Sequence, residues 1–258
     1  MILHEIAEYT KLRVEEDKKK ISLDSIKSIA TTMQKGDFSF ERAISATKNA
    51  VIAEVKKASP SKGIISHDFD YKQIAKSYVD GGATCLSVLT EPKWFMGSDS
   101  IFEEIRKDVR IPMIRKDFTI DEYQIYQAKI MGADCVLLIC ALLSQNQLEE
   151  YLAICESLGI SALVETHDEN EIAMARKAGA RMIGVNNRNL HDFSVDISTA
   201  SNLKRIIPEN ILFVAESGIT TLEDAQNLLK NGANALLIGE ALMRSANRNA
   251  FLTAIREF

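Results

Sequence analysis

The chain has no CxxC pair, and its four cysteines, at positions 85, 135, 140 and 155, lie in or beside apolar segments. A disulfide scaffold or a zinc site needs clustered spacing, so these read as buried free thiols. There is no HxH or HExxH either; His4, His67, His167 and His191 stand far apart and read as surface or capping positions, not metal ligands. The N-terminus, MILHEIAEYTKLRVEEDKKK, carries charge through its first turns and has no apolar core followed by small residues, unlike a secretory signal. The longest apolar run, CVLLICALL at 135–143, is about half of what a membrane-spanning helix needs. Basic residues are in the minority, and a formal net charge of −5 argues against general binding to nucleic acid or an anionic membrane, though a local group of Lys and Arg can still grip a small anion. No Pro/Gly-rich linker, low-complexity tract or composition break marks a second domain. These absences together point to a cytoplasmic protein whose partner is a small molecule.

What is present is a repeated phrase: GATCLSV at 82–88, GADCVLL at 132–138, GARMIGV at 179–185 and GANALLI at 232–238. Glycine suits the left-handed turn that ends a helix, and the apolar run behind it suits a strand buried on both faces. LGISALVE at 158–165 is a looser copy, and VIAEV, IPMIRK and ILFVAE bring the candidate strands to eight. Between them lie helical stripes, such as Leu148, Tyr151, Leu152 and Cys155, or Leu222, Ala225 and Leu229. Capping-box spacing places helix starts at Thr119 with Glu122, Ser144 with Gln147, Asp168 with Glu171 and Thr220 with Glu223. Eight strand–helix units in about 250 residues fit a (β/α)8 TIM barrel, an α/β fold. A doubly wound open sheet is the rival, disfavoured because no GxGxxG follows the first strand. Residues 1–49 read as a mainly helical N-terminal extension to a single barrel domain spanning 1–258.

Charges in the strands themselves are the unusual feature. In VIAEVKK, strand alternation puts Ile52, Glu54 and Lys56 on one side and Val51, Ala53 and Val55 on the other, and an acid and an amine on a buried side need a partner or a ligand. Strand three ends at Lys116, strand five at Glu165, strand six at Asn186 and Arg188, and strand seven at Glu216 and Ser217. Any one of these suits a structural ion pair, but acids and amines ending five strands converge on the barrel's catalytic face, where burial and mutual charge tune proton donors and acceptors. ESGIT at 216–220 and IGEA at 238–241 follow strands seven and eight, where such barrels often hold a phosphate on backbone N–H groups; Gly218 and Gly239 allow close approach. Glu240 then has to turn its carboxylate away and offer only its N–H. SPSKG at 59–63 reads as a loop that closes over a ligand, or as an inert connector.

EVKKASPSKG, LTEPKWFMGS, IRKDFTIDEYQI, GADCVLL, LVETH, NNRNL, AESGI and IGEALMR, in that order from about residue 50 to the C-terminus, resemble the indole-3-glycerol-phosphate synthase family of tryptophan biosynthesis, and residues 1–49 resemble its N-terminal extension. No stretch is left for the fused isomerase domain of some relatives. The resemblance implies a carboxy-lyase that closes the indole ring of 1-(2-carboxyphenylamino)-1-deoxyribulose 5-phosphate with loss of CO2 and water. Carried over position by position, the catalytic residues are Glu54, Lys56, Lys116, Glu165, Asn186, Glu216 and Ser217, with Lys116 as general acid and Glu165 as general base. Lys56 fixes the substrate carboxylate or acts as a later acid. Ser59 and Arg188 serve anionic and hydroxyl groups; Gly218, Gly239, Glu240 and Ser217 lie near the phosphate; Pro60, Phe118, Leu137 and Leu237 wall the aromatic ring, the two leucines doubling as barrel filling. Ala215 and Ala241 depart from the family's common Ser. No cofactor or metal is expected, since the cation formed by ring attack is itself an electron sink, and a monomer is the working expectation. Two rivals stay open: a phosphosugar aldolase using Lys56 or Lys116 as a Schiff-base amine, and a barrel that binds a phosphorylated ligand without turning it over.

Overall fold

A computed structural model describes residues 2–189 and 193–258. His191 lies outside the described residues. Each of the eight apolar runs forms a strand: β1 Ala50–Val55, β2 Cys85–Leu89, β3 Met113–Lys116, β4 Cys135–Ile139, β5 Ser161–Thr166, β6 Met182–Asn186, β7 Leu212–Glu216 and β8 Ala235–Ile238. All neighbours pair in parallel and β8 returns to β1, closing a barrel with no free edge. The doubly wound alternative is thereby excluded. The repeated glycines behave as their position demands: Gly82, Gly132, Gly179 and Gly232 all take φ between 83° and 91°, each turning a helix end into the next strand.

Helices α1 Ile2–Lys20, α2 Leu23–Thr32 and α3 Ser39–Ala46 make up the N-terminal extension. The barrel helices are α4 Tyr71–Asp80, α5 Asp99–Asp108, α6 Glu122–Ile130, α7 Gln145–Leu158, α8 Glu169–Lys177, α9 Ser198–Lys204, α10 Leu222–Lys230 and α11 Glu240–Arg244, with α12 Arg248–Arg256 at the end. No described helix is long and apolar enough to cross a membrane.

Strand alternation sorts the core into two clusters. Val51, Ala53 and Val55 face the helices, while Ala50 and Ile52 face inward with Ile114, Leu137, Leu163, Val214 and Leu237. Phe40 and Ile44 of α3 join the inward cluster, so the extension stops the barrel's floor with fully buried side chains. All four cysteines are buried and unpaired; burial pushes the Cys140 and Cys155 thiols up to about 12.

Two of the four expected helix starts are displaced. Ser144 and Gln147 form the full capping box of α7. Asp168 caps α8, but Glu171 turns its carboxylate to the N–H of His167 at 2.7 Å and leaves the box half-made. Thr119 is buried, and Asp121, two residues on, caps α6 in its place by accepting the N–H of Tyr123. The cap of α10 is Thr221 with Asp224, one residue past the expected Thr220 and Glu223. The Asp224 carboxylate collects Thr220 N, Thr220 Oγ1 and Thr221 N at 2.8–2.9 Å, which fixes that register.

Candidate active site

The C-terminal ends of the strands surround a cavity of about 500 Å3. Every residue singled out from the sequence lines it: Glu54, Lys56, Ser59, Pro60, Lys116, Phe118, Leu137, Glu165, Asn186, Arg188, Glu216, Ser217, Gly218, Leu237, Gly239 and Glu240. Parallel register explains the convergence. Glu216 is level with Asn186 on one side and Leu237 on the other, and Glu165 is paired with Gly184.

Lys116 Nζ lies 3.2 Å from Glu165 Oε2 and 3.1 Å from Glu216 Oε2. Asn186 Nδ2 donates to Glu165 Oε1 at 3.1 Å. On the β1 side Lys56 Nζ meets Glu54 Oε1 at 2.5 Å, just past the end of the strand. Two lysines and three carboxylates therefore share one basin. Burial opposes the charge of Lys116, but Glu216, Glu165 and Glu54 outweigh it and raise the amine, so it is held as an ammonium. Burial likewise opposes ionisation of Glu165, yet Lys116, His167 and Asn186 bring it below the usual carboxylate range. Glu216 goes the other way: burial, with Glu165 and Glu54 close by, lifts it to about 7 despite Lys116. Its Oε1 is buried and has no hydrogen-bond partner.

Two glycines make room for these groups. A Cβ on Gly184 would stand 2.1 Å from Glu216 Oε1, and one on Gly239 2.3 Å from Glu54 Oε1. After β7, Ser217 and Gly218 both take left-handed backbone, φ 64° and 78°, and Asn187 Nδ2 holds the Ser217 carbonyl at 3.0 Å. The Glu240 carboxylate accepts from Arg244 Nε at 3.0 Å, one turn along its own helix, with Lys62 Nζ at 4.0 Å. Residues 58–64 are not a plain connector: Ala58–Ser59 pairs antiparallel with Gly63–Ile64 in a small hairpin beside the mouth.

Several lining residues escaped the sequence reading. Ile2, Leu3 and Ile6 of α1 reach over the cavity, and α1 is tied down by Arg13 Nη2 to Asp117 Oδ1 and Lys18 Nζ to Asp121 Oδ2, both at 2.7 Å. Glu91, fully buried, gathers the N–H groups of Lys93, Trp94 and Phe95 and so folds LTEPKWF into a wall that brings Phe95 to 5.9 Å from Phe118. An acid directly before Pro in an aromatic-rich loop was the available signal. His167, expected at the surface or in a cap, is partly buried at the start of α8 and also reaches the cluster: its Nε2 lies 3.4 Å from Glu165 Oε1 and its Nδ1 3.0 Å from Glu171 Oε2. His4 and His67 are exposed.

A closed (β/α)8 barrel with lysines and carboxylates gathered around a cavity at the strand ends has the architecture of a barrel enzyme. A family model described as "Indole-3-glycerol phosphate synthase" matches residues 3–255. Proteins of that name from Ruminiclostridium cellulolyticum and Endomicrobium trichonymphae are 52% and 51% identical, over 99% and 96% of both chains respectively. Among solved structures, the N-acetylmannosamine-6-phosphate 2-epimerase from Clostridium perfringens matches with a TM-score of 0.63 at 16% identity, covering 78% of this chain and 90% of that one, a likeness of fold alone. The chain belongs to the indole-3-glycerol phosphate synthase family, a family of carboxy-lyases of tryptophan biosynthesis.

Proposed function

We propose that the cavity closes the indole ring of 1-(2-carboxyphenylamino)-1-deoxyribulose 5-phosphate with Lys116 as general acid and Glu165 as general base. The observation that carries this reading is Lys116 Nζ within 3.2 Å of both Glu165 and Glu216 at the mouth of the barrel. Attack of the carboxyl-bearing ring carbon on the sugar carbonyl needs a proton at the carbonyl oxygen, and the Lys116 ammonium, held beside ionised Glu165 and beside Glu216, supplies it. The cation left on ring and nitrogen draws the electrons released as CO2 departs. Loss of the hydroxyl as water and removal of the last proton then need an acid and a base. Glu165, held ionised, is the base; Lys56, paired with Glu54, fixes the substrate carboxylate or delivers the later proton. Asn186 and Glu54 orient these groups, and Glu216 holds Lys116 from the far side.

The left-handed pair Ser217–Gly218 and the backbone at Gly239 and Glu240 suit the phosphate, with the Glu240 carboxylate drawn off toward Arg244. Ser59 and Arg188 serve the remaining anionic and hydroxyl groups, and Pro60, Phe118, Leu137 and Leu237 flank the ring. Incubation with the carboxyphenylamino ribulose phosphate tests the reading: indole fluorescence should rise with turnover. Substrate that binds and is recovered unchanged would favour a binding protein, and a borohydride-trapped adduct on Lys56 or Lys116 would favour the aldolase chemistry.

A further inference from the structure

His167 has no part in the chemistry just described, yet its ring is held where it touches the base. Its backbone N–H and its Nδ1 both meet Glu171 Oε2, at 2.7 and 3.0 Å, so one carboxylate oxygen on α8 holds the residue by its main chain and by one ring nitrogen. Nε2 is left facing Glu165 Oε1 at 3.4 Å, an ion-pair distance outside hydrogen-bond alignment, buried and without another partner. The same Oε1 already accepts from Asn186, while Oε2 faces Lys116. A purely capping role does not need the imidazole: Asp168 caps α8 by accepting the Glu171 N–H, and the second bond to Glu171 comes from the backbone of His167.

We propose that His167 is a positioning residue for Glu165, holding Oε1 against the barrel wall so that Oε2 is the oxygen offered to the substrate proton. This rests on Glu165 being the base. The groups around the pair are Lys116 from β3, Asn186 from β6, Glu216 from β7 and Glu54 from β1 on the Glu165 side, with Cys140, Asp168 and Glu171 near the ring. Burial opposes a charged ring, but Glu165 and Glu171 outweigh it and raise His167 to about 10, so the ring is an imidazolium with a donor at each nitrogen. Removing that cation takes away one of the influences that keep Glu165 ionised.

His167→Gln and His167→Ala, assayed by indole fluorescence from pH 3 to 9 so that the range reaches the acid limb of a carboxylate held below its usual range, alongside thermal melts, test the assignment. At pH 7, kcat should fall about tenfold to a hundredfold with KM within about twofold, and the acid limb of the kcat profile should lie about one pH unit higher than in wild type. His167→Gln, which retains a donor, should keep more activity than His167→Ala. The ring's 15N resonances give a readout independent of turnover: imidazolium at pH 7.5 in the wild type, titrating at lower pH in Glu165→Gln. Variants with an unchanged acid limb and a kcat loss that follows lowered melting temperature would overturn the proposal, as would a neutral ring at pH 7.5 in the wild type. Glu165→Gln that still turns over would remove Glu165 as base and the proposal with it. An inactive Glu165→Gln beside wild-type profiles for the His167 variants would sink the positioning role alone.

Discussion

The two ends of the barrel use the same side-chain types and treat them differently. At the floor, Asp134 sits just before β4 and accepts from Ser39 Oγ at 2.7 Å, Met113 N at 2.9 Å and Arg106 Nη1 at 3.0 Å, stitching α3, β3 and α5 together. Both of its oxygens are engaged. At the mouth, three carboxylates share two lysines, one oxygen of Glu216 has no partner, and Glu165 and Glu216 are driven apart in acidity. Charges that hold a fold are saturated by neighbours; charges beside a cavity are left short of partners, and a ligand can complete them.

The largest effect should come from Lys116→Ala. If Lys116 is the proton donor proposed above, its loss should lower kcat about 1000-fold or more in the fluorescence assay, with a folded circular dichroism spectrum, because the side chain ends at a rim and not in the apolar core. An unfolded variant would mean that the mouth cluster holds the barrel together as the floor does. Asp134→Ala is the mirror experiment. It strands a half-buried Arg106 and an N–H at the start of β3, so stability in urea should fall by about 3 kcal/mol while kcat and KM stay within about twofold.

How much of this contrast can be read from sequence follows from what each end depends on. The strands were legible because a glycine phrase and a continuous apolar run are local signals, and the mouth was legible because Glu54, Lys116, Glu165 and Glu216 break such runs at their ends. The missed features need partners distant along the chain. Arg13 finds Asp117 across 104 residues, and Phe40 of α3 fills a floor built by eight strands. His167 was read as a surface or capping position because no HxH or HExxH spacing marks it, while its approach to Glu165 depends on how the fold places the start of α8 against the end of β5. The caps of α6 and α10 lie two residues and one residue past the expected ones because Asp121 takes the Tyr123 N–H and Asp224 takes the N–H groups of Thr220 and Thr221, and propensity alone does not rank these acids against the neighbouring Thr and Glu.

Glu216→Gln sharpens the comparison through pH. The folded protein keeps Glu216 protonated up to about 7, whereas an exposed carboxyl loses its proton near 4.5. Its contribution to stability is therefore fully present below about 4.5 and is lost as pH rises through 7. The neutral amide removes that loss, so the melting temperature of the variant should rise relative to wild type between pH 5 and 8, while kcat falls. Parallel melting curves across that range would show Glu216 to be as saturated in effect as Asp134.

Ser144→Ala asks whether the distinction belongs to the end of the barrel or to the completeness of the partners. Ser144 opens α7, which follows β4 and so starts on the mouth side, yet its groups are satisfied like those of the floor: Oγ accepts the Gln147 N–H at 3.3 Å and Gln147 Oε1 accepts the Ser144 N–H at 3.0 Å. If position decided function, its loss should disturb turnover. If completeness decides, the change should cost about 1 kcal/mol, lower the melting temperature by about 2–4 °C and leave kcat and KM at wild-type values. A kinetic effect without a stability change would place Ser144 among the groups that serve the cavity, and the division drawn here would have to follow the barrel axis in place of hydrogen-bond saturation.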